Sequence, residues 1–198
     1  MVKLNDINRD IASEQWLEAL TARLPQAERD LVIRADAWAQ LHYPGRTHPT
    51  GQPWIDHARA AAGILGGLRV GGEAIAATLL LGAPVATRAE RDALHSAFGP
   101  AVVSLAEGAA SMVQIQALRN KNVAGSKRND RATQLEALRK MFLSMAQDVR
   151  VVLIKLADQV QWLRELASKE DADAREDIAR ETLELFSPLA NRLGASGP

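Results

Sequence analysis

The chain has 198 residues, 47% of them hydrophobic, which is ample for one compact domain with a real core. Lysine and arginine total 24 against 24 aspartates and glutamates, so the formal net charge is zero and no dedicated nucleic-acid-binding surface is expected. Cysteine is absent, which excludes a disulfide framework, a thiolate zinc site and a cysteine nucleophile. A reducing cytoplasm is the expected setting. The opening MVKLNDINRD lacks the apolar stretch of a signal peptide, and no apolar run approaches the roughly 20 residues of a membrane span.

Taken in chain order, the pattern is helical almost throughout. Ser13 suits the cap of a helix reaching about Leu24, and Pro25 the start of a second, in which Leu31, Ile33, Ala37, Trp38 and Leu41 recur at near-helical spacing. His42-Tyr43-Pro44-Gly45 ends it, and "RTHPTGQP" over residues 46–53 is a turn-rich loop. "WIDHARAAAGILGGL" is helical by its Ile55, Ala58, Ala62, Leu65 stripe and is closed by Gly66-Gly67. Ala74 to Leu81 reads as a short helix buried all round. Gly82-Ala83-Pro84 interrupts, and Thr87 with Glu90 then forms a capping box for a helix to about Phe98.

Gly99-Pro100 starts the next helix, which runs to about Leu118, and "RNKNVAGSKRND" over residues 119–130 is the clear loop. Helices are expected from Thr133 to Ala146 and from about Ala172 to Phe186. Between them, "DVRVVLIKLADQVQWLREL" is β-branched at Val149, Val151, Val152 and Ile154. Its apolar pattern persists through Val160, Leu163 and Leu166 at spacings of three and four, too long for an ordinary strand. The expected fold is all-α: a single compact domain over residues 1–198 with about eight to ten helices.

Ionisable groups in apolar helices carry the chemical interest. His57 lies in "WIDHA", while Lys155 and Asp158 share one face of "VVLIKLADQV". A charge in such a setting must be paired or bind a cation. His57 is therefore a hydrogen-bonded, half-buried histidine or a ligand, and Lys155 with Asp158 an ion-pair network or part of a site. Asp56 reads as a solvated helix residue. Arg119, Lys121, Lys127, Arg128 and Arg131 make the 119–130 region basic, either as a solvated surface or as a place to meet a phosphate, RNA or an acidic neighbouring domain.

The order of motifs, "GQPWIDHARAAAGILGGLRV", "AIAATLLLGAPVAT", "MFLSMAQDVRVVLIKLADQVQWLRE" and "ETLELFSPLANRLG", resembles the amino-terminal HD-type hydrolase region of long RelA/SpoT family proteins, which make and degrade (p)ppGpp. The likeness covers approximately residues 26–194, and "DVRVVLIKLAD" and "SPLANRLG" are its most specific parts. It implies an all-helical domain that, in active relatives, holds Mn²⁺ through a histidine, a His-Asp pair and a later aspartate, and removes pyrophosphate from the 3′ position of (p)ppGpp.

Carried over by position, the resemblance matches His57 to the first metal-binding histidine and Asp158 to the last metal-binding aspartate. The middle His-Asp pair is replaced by Leu81-Gly82, the Glu-Asp pair expected to activate water by Val85-Ala86, and the His-Asn of the nucleotide pocket by Gln161-Trp162. A basic residue of the early loop falls at His48 or Pro49, with Arg46 nearby. An octahedral Mn²⁺ takes about six hard ligands, and two from the protein are too few. Without the ion there is no Lewis acid and no hydroxide at neutral pH, and without the carboxylate pair no obvious proton acceptor.

The implied function is a catalytically inactive, hydrolase-like regulatory domain of a RelA-type (p)ppGpp synthetase, with no catalytic residues and no cofactor of its own. The chain is then expected to be a fragment, partnered by the synthetase domain of the same parent chain and, through later domains, by the ribosome. Two alternatives stand beside it. One is residual Mn-dependent hydrolysis using His57, Asp158 and a borrowed ligand, His48 or His95. The other is a module that retains guanine nucleotide through Arg46, His48, Lys155 and Arg164 without turnover; Trp162 can fill the emptied pocket or move to the surface.

Overall fold

A computed structural model describes residues 14–83, 87–123 and 148–167, together with Glu176 and Ala179 singly, and includes side chains in the longest helix only as far as Ser111. Six helices are present among the described residues: α1 (residues 14–21), α2 (Gln26–His42), α3 (Trp54–Leu68), α4 (Gly72–Leu79), α5 (Arg88–Val123) and α6 (Val149–Ala167). An isolated bridge between Thr47 and Pro53 is the sole β pairing among those residues.

The all-helical class agrees with the sequence, but six helices are fewer than the eight to ten expected. The two stretches expected on either side of Gly99-Pro100 are counted together as α5 although the backbone leaves helical geometry at Gly99, as expected. The helices expected over residues 133–146 and 172–186 fall outside the described residues or, at Glu176 and Ala179, touch them singly. α5 also continues to Val123, so the loop expected over residues 119–130 begins as helix and its remainder lies outside the described residues.

The starts of α2 and α3 follow from proline chemistry. Pro25 and Pro53 precede the first helical residue with extended backbones, φ −55° and ψ 151° and 136°, and neither helix has a side-chain cap. α3 does not stop at Gly66-Gly67; it runs to Leu68 and ends where Arg69 takes a left-handed conformation, φ 57°. The first amide of α4 is satisfied from another helix, Glu28 of α2 accepting from Gly72 N at 2.5 Å. At α5 the expected capping box is present: Glu90 N donates to Thr87 Oγ1 at 3.2 Å, and Thr87 N to Glu90 Oε2 at 2.8 Å.

α4 is the hub of the packing, in contact with α2, α3, α5 and α6. Its residues Gly72 and Ala74–Leu79 are all buried, as the unbroken apolar run implies, and the one hydroxyl among them, Thr78 Oγ1, donates back to Ala74 O at 2.8 Å. The helix ends at Leu79, so Leu80 and Leu81 belong to the following turn. On α2 the buried face is Val32, Ala35, Asp36 and Ala39, while Ile33 and Leu41 of the apparent stripe point outward, 40% and 75% exposed.

Glycines set two close approaches. At Gly99, φ 80° breaks α5 before Pro100, and the bend is sharp: Arg91 Nε reaches Glu107 Oε1 at 2.6 Å. A straight helix would separate residues 16 apart by about 24 Å. At Gly66 a Cβ would stand 2.3 Å from Leu20 Cδ1, so the absence of a side chain lets α1 settle on α3.

Candidate functional site

Three segments meet at one buried cluster. α3 presents His57 from its first turn, α6 presents Lys155, Asp158 and Glu165 from one face at spacings of three and seven, and the loop between α2 and α3 contributes His48 and Thr50. That loop is held in shape by its own backbone: His48 N donates to Gln52 O at 2.8 Å, Gly51 N to His48 O at 2.7 Å with Gly51 at φ 81°, and Trp54 N to Arg46 O at 3.0 Å.

Within the cluster, Lys155 Nζ donates to Asp158 Oδ2 at 2.6 Å and His57 Nε2 to Asp158 Oδ1 at 2.9 Å. The other ring nitrogen, His57 Nδ1, lies 2.9 Å from Glu165 Oε1. Glu165 also accepts from Gln161 Nε2 at 3.0 Å and from the Thr50 hydroxyl at 2.5 Å. The Thr50 hydroxyl has one proton, given to Glu165, so it accepts from His48 Nδ1 at 3.0 Å. The imidazoles of His48 and His57 stack 3.7 Å apart at 10°.

Burial disfavours the charged form of every one of these groups, and the neighbours decide which of them keep it. For Asp158, Lys155 and His57 outweigh burial and hold the carboxyl well below the usual carboxylate range. Glu165 is lowered in the same way by its hydrogen bonds from Thr50, Gln161 and His57. For His57 the hydrogen bonds and charges of Asp158 and Glu165 overcome burial and raise it. For His48, burial and the charge of His57 outweigh the pull of Asp158 and Glu165 and lower it to about 4. Both nitrogens of His57 face carboxylate oxygens, which accept when ionised, so the surroundings favour the doubly protonated ring.

A second focus lies at the turn after α4. Gly82 N donates to Tyr43 Oη at 3.1 Å, Tyr43 Oη donates to Leu79 O at 2.8 Å, and Arg46 Nη1 donates to Gly82 O. The third neighbour is an indole: a Cβ at Gly82 would fall 1.8 Å from Trp54 Nε1. Gly82 is therefore glycine because of this contact. The same indole lies 5.1 Å from the His48 ring and 6.2 Å from that of His57, centroid to centroid. Among the described residues, Trp54 Nε1 is buried without a hydrogen-bond partner.

The sequence-derived candidates separate accordingly. His57, Asp158, Lys155 and His48 come together. Gln161 joins them through Glu165, and Trp162 meets His48 edge-on at 4.9 Å. The indole packed on Gly82 is Trp54; Trp162, for which the sequence left open the emptied pocket or the surface, is partly buried. Arg46 is engaged with Gly82 and lies over the Tyr43 and Trp54 rings, Arg164 is exposed, and Leu81 packs partly buried against the core. Val85 and Ala86 lie outside the described residues. Asp56 is exposed, as expected.

Among the described residues, the group able to converge on a metal ion is His48, His57 and Asp158, with ligand atoms within 4.8 Å of one another; His95 is not part of it. Glu165, Thr50, Tyr43 and Trp54 were not singled out from sequence. Only Glu165 carried a signal, since it lies two helical turns from Asp158 on the same face of α6.

Residues 35–196 match the HD domain family. The chain is 36% identical over 181 residues to the bifunctional (p)ppGpp synthase/hydrolase SpoT of Escherichia coli K12, covering 91% of this chain and 24% of that protein. It is 35% identical over 173 residues to a GTP pyrophosphokinase of Myxococcus xanthus, covering 87% of the chain and 22% of the relative. With the GTP pyrophosphokinase rsh of Brucella ovis the figures are 31% over 180 residues, 91% and 22%. The chain thus spans about a quarter of the length of the curated relatives it matches. No described helix is long and apolar enough to cross a membrane.

Proposed function

The chain belongs to the HD domain family and corresponds to the HD region of RelA/SpoT proteins, and from that premise we propose that it is a catalytically silent, regulatory form of the (p)ppGpp hydrolase domain. The observation that carries this reading is that the ion cluster is closed on itself. Both Asp158 oxygens are taken, one by the Lys155 ammonium and one by His57, and both His57 nitrogens face carboxylates. Lys155 and His57 balance Asp158 and Glu165, and Lys155 is 1% exposed. A buried ammonium already supplies the positive charge that a divalent cation would bring.

The residues present do not fit a bound Mn²⁺. To ligate an ion, His57 would have to give up its proton to one of its two carboxylate partners, Asp158 or Glu165. The in-plane lone pairs of two rings stacked at 3.7 Å run side by side, whereas imidazole ligands must point at an ion about 2.1 Å from each nitrogen. Residues 81 and 82 offer no side-chain donor, and the Trp54 indole stands where a residue-82 side chain would begin.

On the same reading the domain works beside a (p)ppGpp synthetase domain in a longer cytoplasmic protein and restrains or reports to it, with the ribosome as a partner of later domains. The test is a manganese titration followed by the electron paramagnetic resonance signal of the free ion, run with a (p)ppGpp hydrolysis assay on the purified 198-residue chain. Neither binding nor turnover is expected, and turnover that tracks bound manganese overturns the reading.

One observation favours residual hydrolysis, the closeness of His48, His57 and Asp158. It requires His57 to give up a carboxylate and Lys155 to withdraw from Asp158. Retention of guanine nucleotide has less support: Lys155 is buried in an ion pair and Arg46 is engaged at Gly82, so the four basic groups do not form one open cradle.

A further inference from the structure

The loop between α2 and α3 is fastened at two polar points and lies between them over the buried ion cluster. At one end, Gly82 gathers three side chains: its N–H goes to Tyr43, its carbonyl receives Arg46, and its bare Cα face receives Trp54. At the other end, Glu165 receives the Thr50 hydroxyl at 2.5 Å and His48 Nδ1 stands 3.6 Å from it. Between these points residues 44–47, 49 and 51–53 are exposed, and only His48 and Thr50 turn inward.

The segment is held by hydrogen bonds and by ring contacts, His48 against His57 and Trp162 and Arg46 over Tyr43 and Trp54. Most of its residues are exposed, and segments with few buried apolar contacts are the ones that open locally. The closed arrangement also contains an unfavourable element. Among the described residues Trp54 Nε1 has no acceptor, and an unpaired buried N–H is a penalty that water removes on opening. A small free-energy gap between two arrangements is what a coupling element requires.

We propose that residues 44–53 form a strap closed over the His57–Asp158 cluster and latched at Gly82 and Glu165, and that its release is the conformational change by which this silent domain signals to its neighbours. The proposal rests on the regulatory reading above and adds the moving part. Residue 82 is the sensitive point of the latch, because any side chain there must displace the indole.

The test is amide hydrogen exchange on the full chain in three forms: wild type, Gly82→Ala and Thr50→Val. The wild-type amides of His48, Gly51, Trp54 and Gly82 are expected to exchange through an opening that leaves the Ala39 and Ala61 amides of α2 and α3 protected. Each substitution should speed the strap amides on the order of tenfold, with the helix amides still exchanging far more slowly than the strap. Thr50→Val keeps the question open to test should Gly82→Ala fail to fold. Exchange of strap and helices in step in every form overturns the proposal, as does a strap that neither substitution accelerates. Turnover of (p)ppGpp would sink the silent-domain reading whatever the exchange pattern, so the two failures are distinguishable.

Discussion

His57 and Asp158 lie 101 residues apart in the chain and are joined by a hydrogen bond of 2.9 Å, with Lys155 held on the other oxygen of the same carboxylate at 2.6 Å. Asp158 is thus the common anion of two cations in the interior. Its removal tests whether the carboxylate serves the fold or a reaction.

Asp158→Asn is expected to destabilise the domain by about 3–5 kcal/mol, because Lys155 and His57 would share a buried site with one charge uncompensated. Chemical denaturation measures it. A variant as stable as the wild type would mean that the ion cluster contributes nothing to folding.

The contact between Trp54 and Gly82 predicts strong coupling. Gly82→Ala should cost about 1–3 kcal/mol by overpacking, and the same change in a Trp54→Ala background should cost little. A double-mutant cycle of unfolding free energies reads the difference, and additive effects would show that the indole is not what residue 82 accommodates.

Manganese should leave the thermal midpoint unchanged. An ion that bound only the folded state at 100 times its dissociation constant would stabilise it by about 2.7 kcal/mol. A midpoint that climbs with manganese and saturates would favour the residual-hydrolase arrangement of His48, His57 and Asp158.

The two histidines should titrate in opposite directions from the ordinary 6.5, His48 down to about 4 and His57 upward. The depressed group, His48, contributes stability that is fully present above pH 6.5 and is lost as pH falls through about 4. The raised group, His57, contributes stability that is full below pH 6.5 and is lost as pH rises through its folded value. Acidification from pH 6.5 to about 4 should therefore weaken the fold through His48, and His48→Gln should flatten that slope. Imidazole resonances followed by NMR give the two titrations directly. A His48 that titrates at 6.5 would remove the prediction.

Much of the fold was legible because helix signals are local. The capping box at Thr87 and Glu90, the proline starts of α2 and α3, the break at Gly99-Pro100 and the length of the apolar pattern in α6 are all read within a few residues. What periodicity left undecided was which side of α2 faces inward. The buried face includes Asp36, whose carboxylate is held by Arg59 through two hydrogen bonds of 2.8 Å, and hydrophobicity alone gives no reason to turn an aspartate inward.

By itself, the sequence determined an all-helical chain of the HD region with His57 and Asp158 in place and no side-chain donor at Leu81 and Gly82. Tertiary structure decided what surrounds them: Glu165 as the second carboxylate on His57, His48 stacked beside it, and Trp54 over Gly82. The reason is one of range. Backbone hydrogen bonding and helical periodicity operate over three or four residues, whereas these pairings depend on how α3, α6 and the loop after α2 are set against one another by side chains distant in sequence.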